Sequence, residues 1–546
     1  MSHPRLCKQP LMIRPILLFA LVASTIALVW SLLGHPLPVP ASPLAEGQRL
    51  NCLSYAPFHG DQAPFLQPLR IPDEQIAEDL KRLAKVTSCI RTYSATGAQG
   101  KITRLAAKQG LKVLQGIWIG RNLAENRREI EAALLLARRH PGVIQALIVG
   151  NEVLLRGELG TAKIKTYLEE VRRRSSLPVT YADVWEFWLR APELAPAVDF
   201  VAIHILPYWE DDPVEAGDAV DHIRAVRSHV VDAFYGKEIW IGEVGWPSAG
   251  RMRDGALPSP ANQAMVLSGV VEAANAGRWK VNLIEAFDQP WKRVLEGTVG
   301  GYWGLFDDKA REPKFRWGEP VSNHPEWQLE AGLGIGAAFL VFAAAWLSPR
   351  GRKPEPIDWG RSLAIAAIAA GAGLVFGWAV LGLPMEPPEL GDRLRSAGML
   401  ALTLLVPAFA AVAVARSTSL KSFAVVLNPR RWRRSEASSL LLAWLFVATM
   451  VAAIHVALGL VFDPRYKDFP LALLSGPALA LAIVAFLSGP VLPRAGVAES
   501  VAAALLTGSA LFIIVNEGIA NWQALWFAGL LLALSLTALR AAPAPD

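Results

Sequence analysis

Cysteine is scarce: the 546 residues hold three, too few for a fold stapled by disulfides. Nine histidines are scattered along the chain. Nowhere do His, Cys and Asp gather at metal-ligand spacing, so neither a metal nor another cofactor is expected. The G-x-x-x-x-G-K-[ST] phosphate loop is missing, as is the glycine fingerprint of a dinucleotide-binding sheet. Charge is also thin, at 19% Asp, Glu, Lys and Arg, and it is absent from long stretches. One apolar run covers Pro15–Leu33, and a series of runs fills the chain after Ala331. His455 is the one ionisable residue near the middle of any of them. Transport paths need polar groups at that depth, which argues against a transporter or export channel.

What is present is 53% hydrophobic residues and a mean hydropathy of +0.31, too apolar for a wholly soluble protein. Between the apolar regions lies a stretch of ordinary soluble composition. Arg5, Lys8 and Arg14 precede the first run, which is about long enough to cross a bilayer. Ala41–Ser42 and Leu44–Ala45 make a weak cleavage site, so the run reads as an uncleaved anchor, residues 1–34, with its N-terminus in the cytoplasm. Residues 35–49, beginning HPLPVPASPLA, read as an extended proline-rich spacer.

Polar interruptions divide residues 331–540 into seven spans, near Ala331–Leu347, Leu363–Leu383, Ser396–Ala415, Ala437–Phe462, Pro470–Leu487, Glu499–Val515 and Gln523–Leu539. With the anchor they make eight, which places both chain ends on one side. The connecting segments alternate in charge. Arg350, Arg352, Lys353 and Arg361, then Arg416, Lys421, Arg430, Arg431, Arg433 and Arg434, then Arg494 and Arg540, fall on the basic side. Glu386, Glu389, Asp392, Asp463, Asp468 and Glu517 fall on the other, with fewer bases (Arg393, Arg395, Arg465, Lys467). Basic loops stay in the cytoplasm, so the soluble domain is expected outside it. The pI of about 9.2 then reports membrane orientation, and no nucleic-acid partner is expected. Cys7 is cytoplasmic on this reading. Cys52 and Cys89 face an oxidising compartment, where one disulfide and two buried thiols are both open.

From Leu50 to Phe315 short apolar runs alternate with amphipathic stretches. Strands are expected at Asn51–Tyr55, Ser88–Tyr93, Lys112–Ile119, Val143–Gly150, Val179–Ala182, Phe200–Ile205, Ile239–Gly242 and Val281–Phe287. Helices are expected at Asp73–Lys85, Ile102–Gln109, Asn126–Arg139, Thr161–Arg174, Ala216–Val231 and Asn262–Ala276. Eight such units predict an α/β fold, a (β/α)₈ TIM barrel over residues 50–318, with its site at the carboxyl ends of the strands. An all-α transmembrane domain follows it.

Those ends are chemically rich. They carry Tyr55; Arg91 and Tyr93; Trp118 and Arg121; Asn151 and Glu152; Asp183 and Trp185; Tyr208 and Trp209; Glu243 and Trp246; and Glu285, Asp288, Trp291 and Lys292. An acidic cleft walled by aromatic rings suits a carbohydrate, whose apolar faces stack on rings while polar groups bind its hydroxyls. Glu243, in E-I-W-I-G-E-V-G-W-P-S, is an acid directly after a buried strand. It is either catalytic or a structural ion-pair member, and pairing with Glu152 three strands earlier favours catalysis. Glu285 reads equally as a ligand contact or an ion pair with Arg91 or Lys292. Of Trp185, Trp209, Trp246 and Trp291, half are expected to touch sugar. His204, inside strand six, reads as a satisfied core residue.

I-V-G-N-E-V (Ile148–Val153) and G-E-V-G-W-P-S (Gly242–Ser248), with R-T-Y (Arg91–Tyr93) and E-A-F-D-Q-P-W-K (Glu285–Lys292) followed by G-L-F, resemble family 17 of the glycoside hydrolases. That family comprises β-1,3-glucanases and β-1,3-glucanosyltransferases, and the last motif has the form of its fungal and bacterial members. The resemblance covers Leu50–Phe315 and none of the spans. It implies retaining chemistry, with Glu152 the general acid/base, Glu243 the nucleophile, Asn151 a partner of the sugar 2-hydroxyl and Tyr208 the residue that orients the nucleophile. Gln289 stands where many members have Glu, which removes a charge from the acceptor side.

Proximity to Glu243 and partial burial are expected to raise the pKa of Glu152 and keep it protonated for the first step. The reading is a transglycosidase that remodels or branches β-1,3/β-1,6-glucan on the outer face of a bacterial inner membrane. Bacterial members with multi-span tails resemble β-glucan synthase-type proteins. A processive synthase fed by nucleotide sugars needs a cytoplasmic domain larger than Arg416–Glu436 provides and a Q-x-x-R-W string, which is missing. The expected partners are a β-glucan, membrane lipid and a glucan synthase or export complex. A hydrolytic β-1,3-glucanase and a non-catalytic glucan-binding or export-associated membrane scaffold are the alternatives.

Overall fold

The computed structural model describes residues 10–66, 68–348, 357–386, 389–432, 436–487 and 496–541. Arg5, Lys8, Arg350, Arg352, Lys353, Arg433, Arg434 and Arg494, used above to orient the chain, lie outside the described residues, as does Cys7. The chain forms two compact units: Pro36–Val321, and Met1–His35 together with Ser322–Asp546.

The first unit is a closed barrel of eight parallel strands in sequential order, with β8 returning to β1. The strands are β1 (Cys52–Ser54), β2 (Cys89–Arg91), β3 (Lys112–Ile117), β4 (Ile144–Asn151), β5 (Val179–Val184), β6 (Val201–His204), β7 (Ile239–Val244) and β8 (Val281–Leu283). Both faces of each strand are covered, so the strands read as near-continuous apolar runs. Along β4, Leu147 and Val149 join the layer beneath the helices, while Ala146 and Ile148 fall in a separate inner cluster with Leu114, Ala182, Ala202 and Phe200. That is the period-two division of a strand between outside and lumen. Cys52 and Cys89 belong to the inner cluster and form a disulfide, which decides between the two states open in the sequence.

The helices follow from pattern and caps. Ile76, Leu80 and Leu83 make the buried stripe of Asp73–Leu83, as Ile164, Leu168 and Val171 do for Thr161–Arg174. Asn122 caps Leu123–Arg139 by accepting from the amides of Ala124 and Glu125. Ser259 caps Pro260–Gly277, whose proline occupies the first turn. A short helix, Trp185–Arg190, starts directly after β5; its six residues are too few to show a helical period.

The proline-rich segment is extended, but it is not a free spacer. Leu37 pairs antiparallel with Val321, and the Asn275 side-chain amide donates to the Pro43 carbonyl at 2.9 Å. With no amide hydrogen on its prolines, such a segment gains by lying along a surface that supplies donors.

The second unit is helical. Among the described residues, seven helices are long and apolar enough to cross a membrane: Ile13–Leu33, Trp327–Leu347, Trp359–Met385, Leu390–Arg416, Ala437–Phe462, Val497–Glu517 and Trp522–Arg540. The eighth expected span, Leu471–Leu487, is a helix of 17 residues. At about 1.5 Å per residue it reaches some 26 Å, the lower limit for crossing. Small residues let these helices approach closely. A Cβ on Gly334 would overlap the Gly373 carbonyl oxygen, the packing device of helices that gain nothing from hydrophobic burial in lipid.

Candidate active site

The carboxyl ends of β2, β4, β6 and β7 converge on one polar cluster. Glu243 lies within β7 rather than directly after it, because the strand runs on to Val244, and it is buried. The β6–β7 register shifts between Ile203 and His204 and sets His204 opposite Glu243. A shift of this kind re-aims a side chain. It also brings the two backbones close, since a Cβ on Gly242 would stand 3.1 Å from His204 Cδ2. The first glycine of G-E-V-G is therefore a contact requirement.

Glu152 follows β4 through a second irregular passage. The β4–β5 register shifts between Ile148 and Asn151, Gly150 adopts φ 90° and Glu152 itself φ 53°. A non-glycine residue persists in that left-handed region only where its surroundings hold it. Here the Glu152 amide donates to the Ala182 carbonyl at 2.8 Å, and Glu152 Oε1 lies 2.8 Å from His204 Nδ1.

Arg91, 1% exposed, ties the halves together. Its Nη1 donates to the Gly242 carbonyl at 2.7 Å and to Glu243 Oε1 at 2.9 Å, and its Nη2 donates to Asn151 Oδ1. The Asn151 side-chain oxygen thereby accepts from Arg91, and its NH₂ is the donor end of the amide. The Tyr93 hydroxyl stands 3.0 Å from Glu243 Oε1 and 2.9 Å from Ser54 Oγ. Burial and the neighbouring Glu243 charge push the Tyr93 phenol well above its usual value, so it stays a donor to the carboxylate. Tyr208, expected to orient the nucleophile, donates instead to the Arg251 carbonyl at 2.9 Å. Both tyrosines are near strand ends; which one reaches the acid is a matter of barrel geometry. Tyr93→Phe removes a bond to a buried charged group, worth about 1.5–3 kcal/mol. It is expected to lower kcat/KM by roughly 10- to 100-fold, and Tyr208→Phe by less, as steady-state kinetics on one substrate will report.

The expected rise in the Glu152 pKa is not found. Burial alone would raise it, but the hydrogen bond with His204, together with Arg91 and Arg156, outweighs burial and holds the carboxyl below the ordinary value. Correspondingly, His204 is not a bystander of the core: it stands between the two acids, with Nε2 3.8 Å from Glu243 Oε1. The sequence carried a signal for it. His204 is the last residue of β6, so the rule that selected the other strand ends selects it too once the strand is ended correctly.

Around this core sits a second layer. Glu285 pairs with Lys292 at 2.7 Å, the ion pair of its two readings. Burial raises the Glu285 carboxyl against the pull of Lys292. Glu296, beyond any motif, is pushed up to about 7 by burial and by repulsion from Glu285, Glu152 and Glu243, against Lys292. Asp183 is buried behind Glu152. It accepts from the Tyr181 hydroxyl and, at 3.1 Å, from the Leu154 amide, so it braces the loop that presents Glu152. Burial raises its carboxyl too.

Other expected contacts lie outside the core. Tyr55 is buried and donates to Asp79 at 2.9 Å. Trp246 is buried and donates to the Leu257 carbonyl, so it packs the barrel. Trp185 donates to Glu210. Asp288 bonds Lys314 at 2.8 Å and the Gly304 amide at 2.8 Å, and burial pushes it up to about 7 despite Lys314. Trp291 is half-buried, edge-on to Phe58 and Phe65, and its Nε1 donates to Gln289 Oε1 at 2.8 Å. The buried Gln289 amide also faces the Ala56 and Phe287 carbonyls. A carboxylate could not donate to those carbonyls, which accounts for an amide at this position.

Glu152, His204 and Glu243 each offer a ligand atom within 4.8 Å of the others, a spacing a divalent ion accepts. Arg91 already bonds Glu243 and lies 3.4 Å from His204 Nε2, so the positive charge among them is supplied by the chain itself. Two carboxylates this close, one bonded by Arg91 and Tyr93 and the other by His204, can divide nucleophilic and proton-transfer work.

Residues 52–304 match the profile of a family described as the BtgE/BtgC glycoside hydrolase domain. The chain is 24% identical over 254 residues to a glucan 1,3-beta-glucosidase of Saccharomyces cerevisiae, covering 42% of this chain and 80% of that protein. It is 27% identical over 289 residues to a probable glucan endo-1,3-beta-glucosidase, btgC, of Aspergillus clavatus, covering 47% and 41%. Among solved structures, a glycoside hydrolase family 17 β-1,3-glucanosyltransferase from Rhizomucor miehei matches at 24% identity and a TM-score of 0.44, over 49% of this chain and 96% of that one. The barrel is similar to glycoside hydrolase domains, and the protein is an enzyme of the glycosidase and transglycosidase class.

Proposed function

We propose that this protein is a membrane-anchored, retaining β-glucan transglycosidase that cuts β-1,3-glucan and joins the released end to a sugar hydroxyl, remodelling or branching the polymer. The observation that carries the reading is the approach of Glu152 and Glu243, with ligand oxygens within 4.8 Å. Retaining enzymes hold their carboxyl groups about 5–5.5 Å apart, whereas inverting ones leave roughly 6.5–9.5 Å for a water. Glu243, fixed by Arg91 and Tyr93, attacks the anomeric carbon. Glu152 gives its proton to the leaving oxygen, then takes one from the acceptor in the second step. The NH₂ of Asn151 bonds the sugar 2-hydroxyl, and Trp291 with Phe65, which is 55% exposed, offers a ring surface to an acceptor sugar. The similarity to a glucan 1,3-beta-glucosidase and a probable glucan endo-1,3-beta-glucosidase supports β-1,3-glucan as donor.

Full-length protein in detergent, incubated with β-1,3-gluco-oligosaccharides, is expected to yield products longer than the substrate or carrying new linkages, read by mass and linkage analysis. Only shorter products would overturn transfer and leave a hydrolytic glucanase.

The barrel works on the outer side of a bacterial inner membrane, with both termini in the cytoplasm. Support comes from the seven apolar helices and the alternation of basic and acidic connecting segments. A reporter active only outside the cytoplasm, fused after Arg352, is expected to be silent. Activity there would reverse the orientation.

A further inference from the structure

His204 is fully buried at the end of β6 and has a neighbour at each ring nitrogen: Glu152 Oε1 2.8 Å from Nδ1, and Arg91 Nη1 3.4 Å from Nε2. An ionised carboxylate oxygen only accepts, so the nitrogen 2.8 Å from Glu152 Oε1 carries the hydrogen of that bond. The ring hydrogen therefore resides on Nδ1 and points at Glu152 Oε1. The ring cannot turn over, because Gly242 packs on its Cδ2 edge and Arg91 is held by Gly242, Glu243 and Asn151.

We infer that His204 is the positioning residue of the acid/base: its Nδ1–H···Oε1 bond commits one oxygen of Glu152 to accepting and dedicates the other, Oε2, to proton transfer. The inference rests on the assignment of Glu152 as acid/base made above. In the first step the Oε2 proton passes to the glycosidic oxygen as its bond to the anomeric carbon breaks and that oxygen keeps the electron pair, while a Glu243 oxygen bonds the carbon. In the second step Oε2 takes the hydrogen of the acceptor hydroxyl as its oxygen bonds the carbon, and the electron pair of the broken ester bond returns to Glu243. The Nδ1 hydrogen stays on His204 throughout.

A bond to the ionised carboxylate stabilises that form, so His204 also sets the pH above which the acid is lost. The groups facing Glu152 are His204 from β6, Arg91 from β2, Arg156 from the loop after β4, Asp183 from β5, Glu243 from β7 and Glu296 from the helix Arg293–Glu296. Burial and the three carboxylates favour the protonated acid, and the two arginines and His204 oppose them. Among the described residues, His204 alone hydrogen-bonds the carboxylate, so its removal shifts the balance most.

The test compares wild type, His204→Phe, His204→Asn and His204→Gln as full-length protein in detergent, by pH profiles of kcat/KM on β-1,3-gluco-oligosaccharides. His204→Phe is expected to move the alkaline limb up by about one pH unit or more. His204→Asn, whose amide hydrogen replaces Nδ1–H, should bring the limb back towards wild type, while the longer Gln amide should not. A merely structural histidine would lower kcat at every pH and leave the limb in place, and a Phe limb within about 0.2 unit of wild type overturns the inference. Should His204→Phe fail to fold, coincident Asn and Gln limbs do so instead. Infrared titration of the Glu152 carboxyl, taken as the difference against Glu152→Gln, reads the same shift without substrate. Absence of turnover in wild type would therefore count against the proposed function, and absence of the infrared shift against His204.

Discussion

Glu243→Gln abolishes hydrolysis and transfer together, with kcat/KM falling by roughly 10⁴-fold or more, the scale of losing a nucleophile. The amide has the shape of the carboxylate but no charge with which to attack the anomeric carbon. Its oxygen still accepts from Arg91 Nη1 and Tyr93, and Arg91 keeps its bonds to the Gly242 carbonyl and Asn151. The hydrogen bonds therefore survive, but the buried Arg91 charge loses its counter-charge, so the melting temperature is expected to fall as well, by on the order of 10 °C. Turnover and thermal unfolding measured on one preparation separate the two effects. Residual turnover above about one-hundredth of wild type would remove Glu243 from the nucleophile's role.

Arg91→Met strikes stability and activity at once. Arg91 and Glu243 are a buried pair, with side chains 1% and 5% exposed. Removing one partner leaves the other charge uncompensated in the interior, at a cost of about 3–5 kcal/mol. For a domain of this size that lowers the melting temperature by on the order of 10 °C. The same change frees the Asn151 oxygen and takes the donor from His204 Nε2, so both carboxylates lose their orientation. A further loss of 10²–10³-fold in kcat/KM is expected, comparable to removing one preorganised donor from an active site. Arg91→Lys should recover part of the stability but little of the rate. One ammonium cannot span the Gly242 carbonyl, Glu243 and Asn151 as the guanidinium fork does. Equal stability of Arg91→Met and wild type would show that Glu243 finds its charge partner elsewhere.

Much of this was legible in the linear chain because it is encoded locally. Leu53, Ile90, Leu147 and Ile203 announce strands by apolar runs, and Ile76, Leu80 and Leu83 a helix by spacing. The eight strands and the order of their closure follow from that alternation. Glu152 and Glu243 stand out because an acid beside a buried strand is costly unless it has work to do. The apolar helices were equally plain. Strand ends were less so, because a one-residue difference decides whether His204 is read as core or as site, and the register shifts beside Asn151 and Glu243 have no local signature.

The sequence by itself determined the barrel, the apolar helices and the two carboxylates on strands four and seven, since period, length and composition are properties of neighbouring residues. Only the tertiary structure decided what those carboxylates touch. Arg91 reaches Glu243 across 152 positions of chain, and His204 reaches Glu152 across 52. Tyr93 rather than Tyr208 bonds Glu243, and Glu152 is held below the ordinary carboxylate range rather than above it. Hydrogen bonds and charge shifts depend on distances of a few ångströms in three dimensions, and closing the barrel is what brings these distant residues within that range.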